Sequence, residues 1–180
     1  MTDASSRRRP VVLAFVRYYL PGFKSGGPVR TIANMVEALG DTLDFRIVTS
    51  DRDASDASPY PHLADARQWV EVGKAKVLYL DRSRMTVAKV AHVMRSTPHD
   101  TLYLNSFLDP VFTARPLVAR RLGLAPRSRC VIAPRGEFSA GALKLKAGKK
   151  RAYIAAMRAV GLYNDLHWQA SSPWEAEDIK

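Results

Sequence analysis

Three short polar segments of this 180-residue chain contain residue types that suit an anionic or hydroxyl-rich ligand. A pair of glycines lets backbone N–H groups approach an anion or a sugar closely, because no Cβ intervenes. The other segments supply a carboxamide, a guanidinium and a carboxylate, which together favour a polyhydroxylated ligand that carries phosphate. The residues that we predict to bind such a ligand are Gly26, Gly27, Pro28, Asn105, Ser106, Arg135, Gly136 and Glu137, with Arg30 one helical turn after the first segment.

Each of these segments directly follows a predicted β-strand. Residues 11–16 are all apolar, as in a buried strand, and the apolar spacing over 29–39 predicts a helix that Gly40 ends. Pro28 suits the first helical turn, since its missing N–H needs no partner there. The carboxyl ends of parallel strands share one edge of the sheet, where open α/β sheets bind ligands. The three segments are therefore expected to meet at that edge.

Short apolar strands alternate with helical segments along the whole chain. This pattern predicts an α/β fold, with a Rossmann-like parallel sheet covered by helices on both faces. Ser172, Pro173 and Glu175 have the spacing of a capping box that begins a last helix. The predicted strands are 11–16, 45–49, 69–72 (weakly paired), 77–80, 101–104, 130–133 and 167–170, and the predicted helices are 29–39, 87–94, 110–122, 142–160 and one from 173.

Each polar segment also has a simpler interpretation. The two glycines and Pro28 could form only a turn and a helix start, and Asn105 could only cap the next segment. Arg135 and Glu137 could pair with other surface charges. Their shared position after strands favours the binding interpretation over three separate coincidences.

Several standard sites are absent from the sequence. Neither the Gly-x-Gly-x-x-Gly fingerprint of dinucleotide-binding proteins nor the phosphate loop of ATPases occurs. The four histidines lack metal-ligand spacing, and the single cysteine makes a zinc site improbable, so we predict neither a metal nor a cofactor. One cysteine also excludes an internal disulfide and fits a reducing compartment, so a cytoplasmic location is expected.

The net charge of +11 favours anionic partners and is concentrated in one stretch without acidic residues, 138–164. This stretch is either a solvated helix face or a peripheral contact with the inner, anionic face of a membrane. A further basic run at residues 7–9 belongs to a segment, 1–9, that we predict to be a disordered arm. The basic surface residues that we single out are Lys144, Lys146, Lys149, Lys150 and Arg151.

Four segments of the chain resemble the amino-terminal half of a GT-B glycosyltransferase of the retaining group called family 4. They are 20–30 (LPGFKSGGPVR), 133–139 (APRGEFS), 142–150 (ALKLKAGKK) and 170–175 (ASSPWE). The resemblance covers residues 10–180 and implies an acceptor-side Rossmann-like domain, one half of the GT-B fold. The carboxyl-terminal domain, which grips the nucleotide sugar in this family, is absent from the chain.

The resemblance implies transfer of a sugar from a nucleotide-diphosphate donor to a hydroxyl of a sugar or lipid-linked acceptor, with retention. Gly26 and Gly27 would then offer amides to the leaving diphosphate. Arg30, Asn105, Ser106 and the 135–137 segment would line the acceptor cleft. The chain has Arg135-Gly136-Glu137 where many relatives carry a histidine, so no catalytic residue is assigned.

Two expectations separate this interpretation from its main alternative. Without the donor domain, the isolated chain is expected to be inactive, although the full-length enzyme would use a nucleotide-sugar donor. The alternative is a basic module that binds nucleic acid or phosphate without catalysis, which the charge alone would favour. The sequence contains no helix-turn-helix, zinc or aromatic RNA-binding motif, so no nucleic-acid partner is expected.

Overall fold

A computed structural model of the protein describes residues 8–63, 68–144 and 147–180. The chain forms an α/β fold with one seven-stranded sheet, consistent with a Rossmann-like architecture. The strands are β1 (Val11–Val16), β2 (Asp44–Ser50), β3 (Val70–Val72), β4 (Ala75–Leu80), β5 (Thr101–Asn105), β6 (Arg129–Ala133) and β7 (Leu166–Trp168).

The strand order is β3-β4-β2-β1-β5-β6-β7, with β1 at the centre. All neighbouring strands run parallel except β3, which pairs antiparallel with β4 at one edge. Apart from β3, the chain adds strands outward from β1 first on one side and then on the other. The order therefore reverses between β1 and β5, and ligands bind at such a switch point in open α/β sheets.

The helices lie on both faces of this sheet. They are α1 (Gly27–Leu39), α2 (Val87–Ser96), α3 (Ala114–Arg121), α4 (Ala140–Lys144), α5 (Ala147–Ala159) and α6 (Pro173–Ile179). On one face, α1 packs Ile32 and Val36 against alternate residues of β1. On the other face, α2, α3 and α5 pack around Leu13 and Phe15 of the same strand. Because both faces are covered, all six residues of β1 are buried.

Several predicted elements have other bounds in the structure, including three in the carboxyl-terminal half of the chain. Helix α3 begins at Ala114 instead of residue 110, because Oδ1 of Asp109 accepts the backbone N–H groups of Val111 and Phe112 and holds a turn there. Strand β7 covers residues 166–168 instead of 167–170. The predicted helix 142–160 corresponds to α4 and α5, and residues 145–146 between them lie outside the described part of the chain.

The predicted basic arm lies at the limit of the described chain. Residues 1–7 of the predicted basic arm are outside it, whereas Arg8 donates a hydrogen bond to Asp100 at 2.8 Å. Arg9 donates to the carbonyl of Gly40 at 2.7 Å.

Across residues 8–63, 68–144 and 147–180, no helix has both the length and the apolar character to cross a membrane.

Candidate functional site

A cleft of about 630 Å³ opens at the switch point of the sheet, beside the carboxyl ends of β1, β5 and β6. The central pair of parallel strands brings the end of β1 next to the end of β5, where Val16 is the register partner of Asn105. Three cations and two carboxylates face this space. The lining residues are Arg17, Tyr18, Ser25, Pro28, Asn105, Ser106, Leu108, Asp109, Arg135, Glu137 and Lys150.

The guanidinium of Arg135 is held in one orientation by its neighbours. Its Nε donates to Oδ1 of Asn105 at 2.8 Å, and its Nη2 donates to the hydroxyl of Tyr103 at 2.6 Å. Tyr103 in turn donates to Oε1 of Gln169 at 2.8 Å. Burial raises the pKa of Tyr103, and the nearby charge of Arg135 offsets part of this rise. The arginine is therefore a fixed donor that is already oriented before any ligand arrives.

The carboxylate of Glu137 anchors the loop that follows β5. It accepts hydrogen bonds from Oγ of Ser106 at 2.7 Å and from the backbone N–H groups of Phe107 and Leu108 at 2.5 and 2.9 Å. Ser106 has a φ of 139°, a backbone conformation that residues with a Cβ seldom adopt. The three bonds compensate for this strain, so Glu137 shapes the cleft and is not a free base.

Glu175 anchors the neighbouring loop, which follows β6. Its carboxylate accepts from the backbone N–H of Gly136 at 2.5 Å, and from the N–H and Oγ of Ser171, both at 2.6 Å. Burial raises the pKa of Glu175, but these hydrogen bonds and the charge of Arg135 outweigh it, and the pKa lies below its ordinary value. The capping box itself forms in part: Oγ of Ser172 accepts from the N–H of Glu175 at 3.1 Å. The sequence predicted this glutamate only as a helix cap, whereas it also fixes the turn that carries Arg135.

Helix α1 begins beside the cleft with backbone donors that have no partner. Gly26 has a φ of 60°, and its own N–H is bonded to the carbonyl of Phe23 at 2.9 Å. In the described residues, no acceptor meets the N–H groups of Gly27 and Val29, no side chain caps the helix, and its first turn has no acidic residue. Two amides without acceptors at the positive end of a helix dipole are groups that favour an anion.

Within this first loop, it is Gly22 that lies close to other protein atoms. A Cβ added at Gly26 or Gly27 would meet nothing within 4 Å, so space does not require glycine at either position. At Gly22 it would lie 2.6 Å from the hydroxyl of Tyr60 and 2.9 Å from Oδ1 of Asp53. Asp53 holds this loop through the N–H groups of Phe23 and Lys24, at 2.8 and 3.1 Å. This anchoring was not predicted, since Asp53 lies in a stretch with only turn-forming residues.

Three charged residues that the sequence did not suggest for the site complete the cleft. Arg17 directly follows β1, and its Nε lies 2.6 Å from Oδ2 of the buried Asp109. Lys150, predicted as part of a basic outer surface, lines the cleft and donates to the carbonyl of Ala142 at 2.6 Å. The position of Arg17 immediately after the first strand was a usable signal, because the other predicted residues were chosen by that criterion.

The structure brings together most, but not all, of the predicted binding residues. Those that line the cleft are Pro28, Asn105, Ser106, Arg135 and Glu137. Arg30 and Gly136 are exposed and do not line it, and Gly26 and Gly27 lie next to its lining residues in the chain. Of the predicted basic surface, Lys144, Lys149 and Arg151 are exposed, and Lys146 is outside the described residues.

Comparisons with known proteins do not assign the chain to a family. No model of a known protein family matches the chain, and no curated protein is significantly similar to it. Within the described parts of the chain, no group of three or more histidine, cysteine, aspartate or glutamate side chains could hold a metal ion. The functional interpretation therefore depends on the residues of the cleft.

Proposed function

We propose that this chain is the acceptor-side domain of a glycosyltransferase that moves a sugar from a nucleotide-diphosphate donor to an acceptor hydroxyl with retention. One observation carries the proposal: held cations line a cleft at the switch point of a Rossmann-like sheet, and Ser25 and Pro28 place the amino-terminal end of α1 beside the same cleft. The features concerned are the guanidinium of Arg135, the ammonium of Lys150 and the amino-terminal end of α1. The resemblance of four segments to this class gives independent support.

The diphosphate of the donor would lie near the start of α1. Ser25 and Pro28 of this region line the cleft, and the amides of Gly27 and Val29, which have no acceptor in the described residues, would interact with the developing negative charge. The amide of Gly26 is already used within its turn, so we assign the role first given to Gly26 and Gly27 to the pair Gly27 and Val29. Lys150, whose ammonium is held by the carbonyl of Ala142 at 2.6 Å, would add a positive charge.

The acceptor would contact the edge formed by Asn105, Ser106 and Arg135. Among the described residues, Arg135 donates to Asn105 and Tyr103 and makes one further, long contact of 3.5 Å to Oγ of Ser171, so part of its guanidinium has no protein acceptor there. A planar donor of this kind suits adjacent hydroxyls or an anionic group on an acceptor. Within the described residues, the two carboxylates that line the cleft, Asp109 and Glu137, are both engaged. This chain would thus bind and orient, and the residue that acts at the sugar carbon stays unassigned.

The location of diphosphate binding tests this proposal. In ¹⁵N–¹H correlation spectra of the isolated chain, added pyrophosphate should shift the amide signals of Gly27 and Val29. Lys150→Gln should weaken the apparent affinity by about fivefold, because one partly buried charge is lost from the cleft. Lys89→Gln, which removes an exposed charge from α2, is the matched control and should leave the affinity unchanged. Shifts that avoid α1 would contradict the proposal.

Catalysis gives a second, independent readout. The isolated chain, incubated with a panel of nucleotide-diphosphate sugars and sugar acceptors, should release no nucleoside diphosphate above the buffer rate. Turnover by these 180 residues alone would contradict the assignment to an acceptor-side domain. Binding at α1 without turnover is the expected combination.

A binding module for nucleic acid or phosphate without catalysis is the second candidate, and the net charge of +11 favours it. Duplex DNA binding measured across a salt titration separates the two functions. A module that contacts several phosphates loses affinity steeply as salt rises, because binding releases counterions. Tight, salt-sensitive DNA binding together with no effect of pyrophosphate on α1 would favour this second function.

A further inference from the structure

A second pocket, of about 440 Å³, lies at the opposite edge of the sheet from the cleft. It is formed at the amino-terminal ends of β6 and β7 and at the carboxyl end of α3, so the length of β6 separates it from the cleft. The lining residues are Leu117, Arg120, Arg121, Arg127, Ser128, Arg129, Gly161, Leu162, Asn164, Asp165 and Leu166. The glycosyltransferase proposal uses none of them.

Four arginines and a single carboxylate line this pocket. In the described residues, Asp165 is the only acidic residue of the lining, and no cation lies within ion-pair distance of it. The four guanidiniums are likewise without a carboxylate partner across residues 8–63, 68–144 and 147–180. Like charges that share one concave surface repel each other unless an anion compensates them.

Local structure accounts for only two of the four arginines. Arg120 donates to the carbonyl of Ser128, just before β6, at 2.8 Å, and Arg121 donates to the carbonyl of Val160, just after α5, at 3.1 Å. In the described structure, the guanidiniums of Arg127 and Arg129 donate no hydrogen bond to the protein, and both residues are exposed. Arg120 and Arg121 also have further N–H groups, because a guanidinium has five of them. The pocket therefore contains more hydrogen-bond donors than the described protein acceptors satisfy.

Two polar groups without charge add to this set. The hydroxyl of Ser128 is buried without a hydrogen-bond partner in the described residues, which is unusual for a native structure. The side chain of Asn164 is exposed at the rim beside Gly161. Guanidinium forks with nearby carboxamide and hydroxyl donors match the several acceptor oxygens of a phosphate group.

We propose that this pocket binds the phosphate group of a small phosphorylated molecule or lipid headgroup. The two exposed arginines, Arg127 and Arg129, would close on the phosphate oxygens, while Arg120 and Arg121 supply the fixed part of the site. The volume is within the usual range of small-ligand pockets, roughly 300–1,000 Å³. The site is separate from the cleft, so the glycosyltransferase proposal can fail without affecting it.

A phosphate titration at constant ionic strength tests the site directly. Inorganic phosphate replaces chloride while ¹⁵N–¹H spectra are recorded, and we expect saturable shifts of the backbone signals of Gly161 and Asn164 and of arginine Nε–H signals. The double variant Arg127→Gln, Arg129→Gln should weaken the apparent affinity by about tenfold, since two charge-assisted contacts are lost. Both positions are exposed, and circular dichroism and the urea midpoint verify that the variant is folded.

A matched double variant controls for the loss of net charge. Arg84→Gln, Lys89→Gln also removes two exposed positive charges, from the segment before α2 and from its first turn, and should leave phosphate binding unchanged. The absence of saturable shifts at Gly161 and Asn164 overturns the proposal. Equal weakening by both double variants also overturns it, because it would show only a general charge effect.

Two further arms identify the source of the phosphate. Glycerol 3-phosphate represents a soluble ligand, and vesicles of phosphatidylcholine with and without phosphatidic acid represent a lipid headgroup. Binding of glycerol 3-phosphate without vesicle sedimentation assigns a soluble ligand. Sedimentation that requires phosphatidic acid and is lost in Arg127→Gln, Arg129→Gln assigns a headgroup. If the chain binds neither glycerol 3-phosphate nor the vesicles, and inorganic phosphate causes no saturable shifts, the proposed site is rejected.

Discussion

The carboxylate of Glu175 accepts a hydrogen bond from the backbone N–H of Gly136 at 2.5 Å, across 39 residues of sequence. Gly136 has a φ of 78° and follows Arg135, whose φ is 57°, so the bond fixes two successive left-handed residues. The same carboxylate holds Ser171 ahead of α6. Helix α6 and the loop after β6 are therefore linked through one buried side chain, and this link sets the position of the Arg135 guanidinium in the cleft.

Removing this carboxylate should destabilise the protein. We expect Glu175→Ala to lower the free energy of unfolding by about 1–3 kcal/mol, because the backbone N–H groups of Gly136 and Ser171 lose a charged acceptor that is itself buried. Urea denaturation measures the change. Glu177→Ala is the control on the same helix, since that side chain is exposed and, among the described residues, forms an ion pair with Lys180 alone. Equal effects of the two substitutions would contradict the anchoring role.

The stabilisation from Glu175 should decrease in acid. Its pKa in the folded protein is below the ordinary value of 4.5, so its contribution is present above about pH 4.5 and is lost as the pH falls through the folded pKa. The difference in urea midpoint between wild type and Glu175→Gln should thus be largest near neutral pH and shrink at pH 3. A difference that is independent of pH over this range would show that ionisation of Glu175 has no part in it.

Three glycines of the first loop should respond differently to alanine. Gly22→Ala should cost about 1–3 kcal/mol, because the new Cβ overlaps Tyr60 and Asp53. Gly26→Ala should cost a similar amount, roughly 1–3 kcal/mol, through its positive φ alone. Gly27→Ala should be neutral or stabilising by about 0.5 kcal/mol, since it has open space and starts a helix. Thermal and urea unfolding of the three variants give the order, and a large loss at Gly27 would contradict it.

Cys130 should not react in the folded protein. It is fully buried in β6, and burial raises the pKa of its thiol to about 11. The thiolate is the reactive form, so iodoacetamide at neutral pH should modify the chain only after unfolding in urea. Mass spectrometry counts the modified cysteine, and the urea-unfolded sample is the positive control. Rapid labelling without denaturant would show that β6 opens locally.

The spacing of residues along the chain was enough to predict most elements of the sheet. β1 has the predicted bounds, and β2, β4, β5 and β6 differ from their predicted ranges by one or two residues at the ends. Short apolar runs between turn residues are local signals, so they do not depend on the tertiary fold. The start of α3 was wrong because the side chain of Asp109 holds a turn there, a contact that helical spacing does not include.

The sequence by itself determined that polar segments follow β1, β5 and β6 and hence meet at one edge of the sheet. Only the tertiary structure decided which of their groups are free to bind. Glu137 and the amide of Gly26 are used internally, whereas Arg17 and Lys150 enter the cleft. The physical reason is that the strands and their parallel direction follow from the alternation of apolar runs with helical segments, whereas hydrogen bonds such as that from Gly136 to Glu175 join distant segments. Whether those bonds form depends on loop conformations, which cannot be predicted from the spacing of residues along the chain.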